Sequence, residues 1–276
     1  MKVIRQNAGR LSCYLVLALG AVLMLMPFAW MLSTSLKTKS ALVIYPPQWI
    51  PKPIMWENYE RAISSFPFFQ YLWNNIKISG LVVLGTLVTS SLAGYAFARM
   101  RFKGRDALFL VILAMMMIPS QVTMIPVFLL VRDLGMIDSH SSLIIPTLVS
   151  PLNIFIMRQY FLTLPRDLDD AAYVDGSMPL RTFSTIFLPL AAPPLAAISV
   201  LTFVGVWNSF IWPLILISDK SKHMMSVGLL IFQNQYITEY HLMMAATLLS
   251  LLPVFTVYLF TQRYFVEGIA ISGLKG

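Results

Sequence analysis

Residues 169–190 read "DDAAYVDGSMPLRTFSTIFLPL" and lie between two stretches apolar enough to cross a bilayer, yet they carry charges, a glycine and two short amphipathic patterns. Just upstream, Thr163 and Pro165 supply a helix start, and Asp167, Asp169 and Asp170 put negative charge at the positive end of the helix dipole. Leu168, Ala171 and Ala172 fall at i, i+3 and i+4 and give a small apolar face, and Gly176 stands where a glycine ends a helix. Ser177, with Pro179 in the first turn, caps a second helix in which Phe183, Ile186, Phe187 and Leu190 repeat at i, i+3, i+4 and i+7. The spacing predicts a two-helix elbow whose alanines lie on an exposed face that another backbone can approach, a shape suited to a groove on a partner protein. Periodicity alone also allows a linker lying on the membrane surface. Interfacial helices, however, usually carry Lys and Arg on their polar face, whereas this first arm presents Asp167, Asp169, Asp170 and Asp175.

The rest of the chain says where that elbow sits. Of 276 residues 58% are apolar and 12% charged, with a mean hydropathy of +0.74, too few charges to cover a water-soluble surface. An all-α integral membrane protein follows. About 20 apolar residues cross a hydrocarbon core of roughly 30 Å, and six runs qualify: about 11–32, 76–98, 107–131, 141–161, 191–217 and 242–264. The first is too long for a signal-peptide core and no small-residue cleavage site follows it, so it reads as a retained span. One membrane domain over 1–276 is expected, since nothing in the chain is long and polar enough to fold separately. Segment 33–70 carries Pro46, Pro47, Pro51, Pro53 and Pro67 with interfacial aromatics, and reads as a short cap.

An even number of spans puts both termini on one side. Lys2, Arg5 and Arg10, the four basic residues of "RMRFKGRD" (99–106), Arg158, Arg166 and Arg181, and Arg263 with Lys275 crowd one set of span ends. The other side holds the sparser Lys37, Lys39, Lys52, Arg61, Lys77, Arg132, Lys220 and Lys222. The positive-inside rule makes the first set, and with it the elbow, cytoplasmic. The formal charge of +8 therefore points to lipid and orientation; no basic domain with interleaved aromatics exists to bind nucleic acid. Cys13 has no intrachain partner, and His140, His223 and His241 lack metal-ligand spacing, so no metal site is expected.

"DAAYVDGSMPLRTFSTIFLP" (170–189) resembles the signature loop of importer-type ABC transporter permeases: an acidic residue and two alanines, three residues, glycine, nine residues, then Ile-x-Leu-Pro. Asp170, Ala171 and Ala172 precede Gly176 by three residues, and Ile186, Leu188 and Pro189 follow after nine. Asp170 stands where that family most often has Glu, which keeps the charge and shortens its reach by a methylene. The likeness runs along nearly the whole chain, toward carbohydrate permeases of the maltose-transporter kind: "SLKTKSAL" (35–42), "LAGYAFARMRFKGRD" (92–106), "MMMIPSQVTMIPVFLL" (115–130), "WNSFIWPL" (207–214) and "QRYFVEGIAISGLKG" (262–276). The resemblance implies a six-span subunit in a bacterial or archaeal cytoplasmic membrane that pairs with a second, homologous permease. It also implies two ATP-binding subunits and an external solute-binding protein, with a sugar or a polyol such as glycerol 3-phosphate as solute. On that reading Asp169, Asp170, Ala171, Ala172, Asp175, Gly176, Ser177, Ile186, Leu188 and Pro189 form the ATPase-coupling element.

The chain is not expected to power itself or to bind a cofactor; ATP and Mg belong on the partner subunits. A Walker A loop needs Gly, four residues, then Gly-Lys-Ser/Thr, and Gly268 and Gly273 have that spacing with Leu274 in the lysine's place. An ion-coupled secondary carrier usually keeps ionisable groups at depth, and the six runs hold no carboxylate away from their ends. No nucleophile, carboxylate pair or other catalytic set occurs at depth, so the chain is not expected to be an enzyme. A scaffold whose elbow recruits a cytoplasmic partner without transport is the other alternative. For the solute, Asn208 between Trp207 and Phe210 combines an amide with aromatic faces, the pairing that grips a sugar, and Gln121 is a lesser candidate. An interhelical hydrogen bond explains Asn208 equally well. Ser90, Gly94 and Ala98, at i, i+4 and i+8, read as a helix-packing stripe.

Overall fold

The computed structural model describes residues 2–233 and 238–273, with side chains described from 13 to 262. The basic side chains of Lys2, Arg5, Arg10, Arg263 and Lys275, and the near-Walker residue Leu274, lie outside these. Among the described residues the chain is nearly all helical: α1 (Lys2–Ser35), α2 (Glu57–Ser64), α3 (Phe68–Arg99), α4 (Arg105–Met115), α5 (Ser120–Asp133), α6 (Ser141–Ile144), α7 (Pro151–Thr163), α8 (Asp167–Val174), α9 (Pro179–Thr182), α10 (Leu188–Leu190), α11 (Ala192–Trp207), α12 (Ile211–Leu216), α13 (Met225–Gly228) and α14 (Tyr240–Gly273). The one β-bridge there is antiparallel, Gln233 with Thr238.

Four stretches are long and apolar enough to cross a membrane unaided: Cys13–Ser35, Phe68–Arg99, Ser141–Thr163 and Tyr240–Gln262. The run at 107–131, which composition reads as a plain span, is instead bent, and the run at 191–217 is entered through a bend and broken at Asn208–Phe210. Helices α4 and α5 meet at 102° across Met116–Pro119, because Pro119 has no N–H to continue the ladder and takes an extended ψ of 134°. The arm Pro179–Leu190 turns 77° into α11. The run at 141–161 is interrupted too, by a 3-10 turn at Ile145–Thr147 and a restart at Pro151, with the Ser150 side chain capping Asn153 N. At 1.5 Å per residue the 16 residues of α11 reach only about 24 Å, and α12 follows after a break at Asn208–Phe210.

Where composition offers one domain, contacts divide the chain into two compact units, residues 1–68 with 228–252 and residues 69–227 with 253–276. In the first, the buried Asn58 amide donates to the carbonyls of Ser35 and Lys37, both at 2.8 Å, and so satisfies the backbone just past the end of α1.

The second unit is held by close backbone approach and by polar groups that fill gaps in the helices. A Cβ on Gly94 would sit 2.5 Å from Met157 Cβ and 2.9 Å from Arg158 N, so α3 and α7 touch where only hydrogen fits. Asn153 Nδ2 donates to Thr202 Oγ1 at 3.2 Å, joining α7 to α11. Asn75 is fully buried and donates to the Trp207 carbonyl, which the break at Asn208 leaves without a helical partner. Outside the spans, Asp138 accepts from Ser218 N and Asp219 N at 3.0 and 2.9 Å, and Lys222 Nζ donates to the Asp138 carbonyl at 2.7 Å. These backbone N–H donors and the nearby lysine hold the Asp138 carboxyl below its ordinary range.

Replacing Gly94 by leucine should force α3 and α7 apart and cost about 1–3 kcal/mol, the usual penalty of overpacking. Leucine at Gly205, where an added Cβ meets nothing within 4 Å, should be tolerated. Thermal unfolding of the two variants in detergent checks the contrast.

Candidate functional site

The elbow is a sharply capped turn. Gly176 has φ 65°, a left-handed conformation that a side chain would strain. Its N–H donates to the Tyr173 carbonyl and the Ser177 N–H to the Ala172 carbonyl, at 3.0 and 2.9 Å, so the last carbonyls of α8 are satisfied. The chain then extends through Met178, and Thr182 Oγ1 donates to Ser177 Oγ at 3.0 Å, locking the second arm to the turn. That arm is wound as a π turn over Phe183–Phe187, where Leu188 N–H reaches back five residues to the Phe183 carbonyl. The wider turn accommodates Pro189, which cannot donate and would crowd the carbonyl four residues behind it.

The sides of this elbow differ from those read in the sequence. Ala172 is buried at 4% exposure, so it is no docking surface; of the two alanines only Ala171 is exposed. Asp169 is turned inward as well. Its carboxylate pairs with Arg99 Nη1 at 2.7 Å, and Arg99 Nη2 donates to the carbonyls of Phe161 and Leu164 while its guanidinium lies 4.9 Å from the centre of the Phe187 ring. Phe183 and Phe187 pack with Tyr95, Met157, Phe161 and Ile198, and Ile186 and Leu188 border that cluster, so the amphipathic face of the second arm belongs to the protein's own core. Asp170, Asp175, Gly176 and Pro189 are exposed and Ser177 is half-buried. The outward apolar groups are Tyr173 (85% exposed), Val174, Met178 and Leu180. Sequence reading passed over them because they do not repeat at helical spacing. Beside them a cleft of about 860 Å³ runs between the elbow and the 99–107 loop, with Arg99, Arg101, Arg105 and Arg166 facing Asp169 and Asp170.

A second cavity, of about 370 Å³, lies among the helix breaks, lined by Ser120 and Thr123 of α5, Ser142 and Thr147, Gly205 and Ser209, and Trp212, with apolar walls from Ile78, Val127 and Met224. Three of its side-chain hydroxyls donate to backbone carbonyls: Thr123 to Ser120 at 3.0 Å, Ser142 to Ser139 at 2.7 Å, and Thr147 to Leu143 at 2.9 Å. These three keep acceptor lone pairs, the Trp212 indole carries an N–H, and among the described residues no charged side chain lines the space. None of the four residues singled out for solute contact lines it. The Trp207 indole is buried and stacked on Phe203, with ring centres 5.3 Å apart; Asn208 and Phe210 mark the break that ends α11; and Gln121 is exposed beside Ser120. Runs of Ser and Thr inside apolar stretches were the available signal, but only the bends bring them together.

An all-helical chain that crosses the membrane repeatedly, with interrupted helices around a cavity and a folded elbow between spans, has the architecture of a membrane transport subunit. Residues 85–271 match the family described as binding-protein-dependent transport system inner membrane component. The arabinooligosaccharides transport system permease protein AraQ of Bacillus subtilis (strain 168) is 34% identical over 270 residues, covering 97% of this chain and 96% of its own. The sn-glycerol-3-phosphate transport system permease protein UgpE of Yersinia enterocolitica is 33% identical over 269 residues, 94% of this chain and 95% of its own. A chain from a bacterial ABC transporter involved in the import of the acidic polysaccharide alginate shares the fold with a TM-score of 0.81 at 26% identity, over 94% of this chain and 97% of that one. The protein belongs to the binding-protein-dependent transport system inner membrane components and is an ABC importer permease. Membership implies an ATP-binding subunit and a solute-binding protein as partners.

Removing the inward carboxylate should harm the fold and removing its exposed neighbour should not. Asp169→Ala should cost about 1–3 kcal/mol, as loss of a charge-assisted bond leaves the buried Arg99 underpaired, while Asp170→Ala should unfold with the unaltered protein. Thermal melts of both variants in detergent read the difference.

Proposed function

We propose that this chain forms half of the translocation pathway of an ATP-driven importer, beside a second, homologous permease, and takes mechanical work from two ATP-binding subunits through the 162–190 elbow. The carrying observation is the exposed apolar group Tyr173, Val174, Met178 and Leu180, displayed with Asp170 and Asp175 on a turn whose backbone is fixed by its cap and whose inner side is already packed. Rigid apolar anchors rimmed by charge are what a protein groove binds, and ATP with Mg would be held by the subunit that owns the groove. The elbow lies on the cytoplasmic side, with both termini, because basic residues crowd that set of span ends. An external solute-binding protein delivers from the opposite side.

The solute is read as a sugar or related polyol, and within that class the hydroxyl-lined cavity favours a neutral saccharide. Glycerol 3-phosphate, like an acidic polysaccharide, calls for cationic donors, and no described cationic side chain lines this space, whereas its hydroxyls and the Trp212 ring suit sugar hydroxyls and sugar faces.

In the reconstituted complex, Tyr173→Ala with Val174→Ala should reduce ATP-dependent uptake at least tenfold and weaken retention of the ATP-binding subunit while the melting temperature holds. Uptake and assembly unchanged by both substitutions would remove the elbow from the coupling path. Gly205→Leu, which projects into the cavity, should reduce uptake of neutral saccharides while leaving the ATP-binding subunit bound; efficient uptake of glycerol 3-phosphate by the unaltered complex would overturn the neutral reading.

A further inference from the structure

Near the end of α1 a lysine is buried with nothing to neutralise it. Lys37 is 2% exposed, and among the described residues its Nζ makes no hydrogen bond and no ion pair; its one neighbour of note is the Trp30 ring, 3.9 Å from Nζ to the centroid. Its backbone is fixed on both sides, the N–H donating to the Thr34 carbonyl at 3.2 Å and the carbonyl accepting from Asn58 at 2.8 Å. One turn back, Thr34 Oγ1 is buried and also has no hydrogen-bond partner. Both line a cavity of about 290 Å³ together with Trp30, Gln48, Tyr240 and Met244, and no carboxylate lines it. The contrast with Lys39 is instructive. That lysine is half exposed, needs a counter-ion less, and has Glu239 at 3.4 Å.

Buried ammonium groups are stable only when their donors meet acceptors, and an aromatic face satisfies one side of the cation at most. A lysine with three N–H donors and a threonine with a free hydroxyl therefore specify a ligand rich in acceptor oxygens and negatively charged. Surroundings narrow it further. The most apolar window of α1 is left uncovered, burial beginning only at Ser33–Ser35, and Trp30 packs edge-on against Trp49 at 4.9 Å, a pairing typical of headgroup depth. Lys37 lies two residues past the end of that helix, where lipid phosphates lie, and Met244, Leu42 and Ala41 supply an apolar margin for the glycerol backbone.

We infer that the Lys37 and Thr34 cavity is a phospholipid site, in which a phosphodiester of the leaflet bordering the end of α1 accepts from the Lys37 ammonium and the Thr34 hydroxyl. The bound lipid would pin the end of α1 and the segment after it without taking part in the solute path.

The assembled importer, delipidated in mild detergent and titrated with phosphatidylglycerol, tests this by native mass spectrometry. The unaltered complex should retain one phosphatidylglycerol that Lys37→Gln binds at least tenfold more weakly; Lys37→Arg should largely restore it, and Thr34→Val, which keeps the cation, should weaken it several-fold. Lys39→Gln is the control and should match the unaltered complex. Equal retention by the unaltered complex, Lys37→Gln and Thr34→Val overturns the assignment, and so does loss of binding-protein docking in Lys37→Gln with lipid retention intact, which would give the site to an acidic side chain of that partner. Displacement of the lipid by inorganic phosphate would keep the oxyanion chemistry but overturn the lipid as its source.

Discussion

A guanidinium almost sealed from water organises the functional end of this permease. Arg99 closes α3, and burying its charge is tolerable only because its two Nη groups are met by the Asp169 carboxylate and by the carbonyls of Phe161 and Leu164 at the end of α7, while its Nε stays buried without a partner among the described residues. Those carbonyls belong to the last turn of α7, where the Leu164 carbonyl lies past the helix end and the Phe161 carbonyl has only the Leu164 N–H, so one side chain answers two needs at once. The same guanidinium covers the Phe187 ring of the elbow's second arm. A displacement of the elbow is therefore felt at α3, at α7 and in the aromatic cluster of Tyr95, Phe161, Phe183 and Phe187, because packed cores shift as units and do not deform smoothly.

From that cluster the route into the membrane is covalent. The second arm runs through α10 and bends by 77° directly into α11, whose far end is the break at Asn208. Lipid cannot satisfy the backbone groups exposed by such a break, so each interruption stands where protein can do it. Asn75 serves the Trp207 carbonyl, Ser150 caps α7, and Thr147 bonds back to Leu143. The interrupted segments α5, α6 and α11 surround one hydroxyl-lined cavity. Arg99 at one end and the helix breaks at the other thus bracket the continuous stretch of chain between the elbow and that space.

Reading from residues alone went furthest where the chemistry is local. Gly176 could be placed at the end of a helix because a left-handed turn excludes most side chains, and Pro179 at the next start because its own backbone preference says so; Ser177 is not the cap that its side chain suggests, since Met178 holds that position and Ser177 Oγ accepts from the Thr182 hydroxyl instead. It failed on facing. Ala172 and Asp169 sit on a short helix with a weak apolar pattern, and which side turns inward was set by Arg99, seventy residues away in sequence. Trp207 read as a sugar platform for the same reason: an indole beside an amide looks alike whether it stacks on a ligand or, as here, on Phe203.

What the sequence by itself determined was the membrane class, the number of apolar runs, the capped elbow and its family signature, since hydropathy, charge bias and turn chemistry are properties of neighbouring residues. What only the tertiary structure decided was which runs bend, which elbow side chains face out and which hydroxyls share a cavity. The physical reason is that proline permits a bend without fixing its angle, and burial depends on partners that lie near only after the helices have packed.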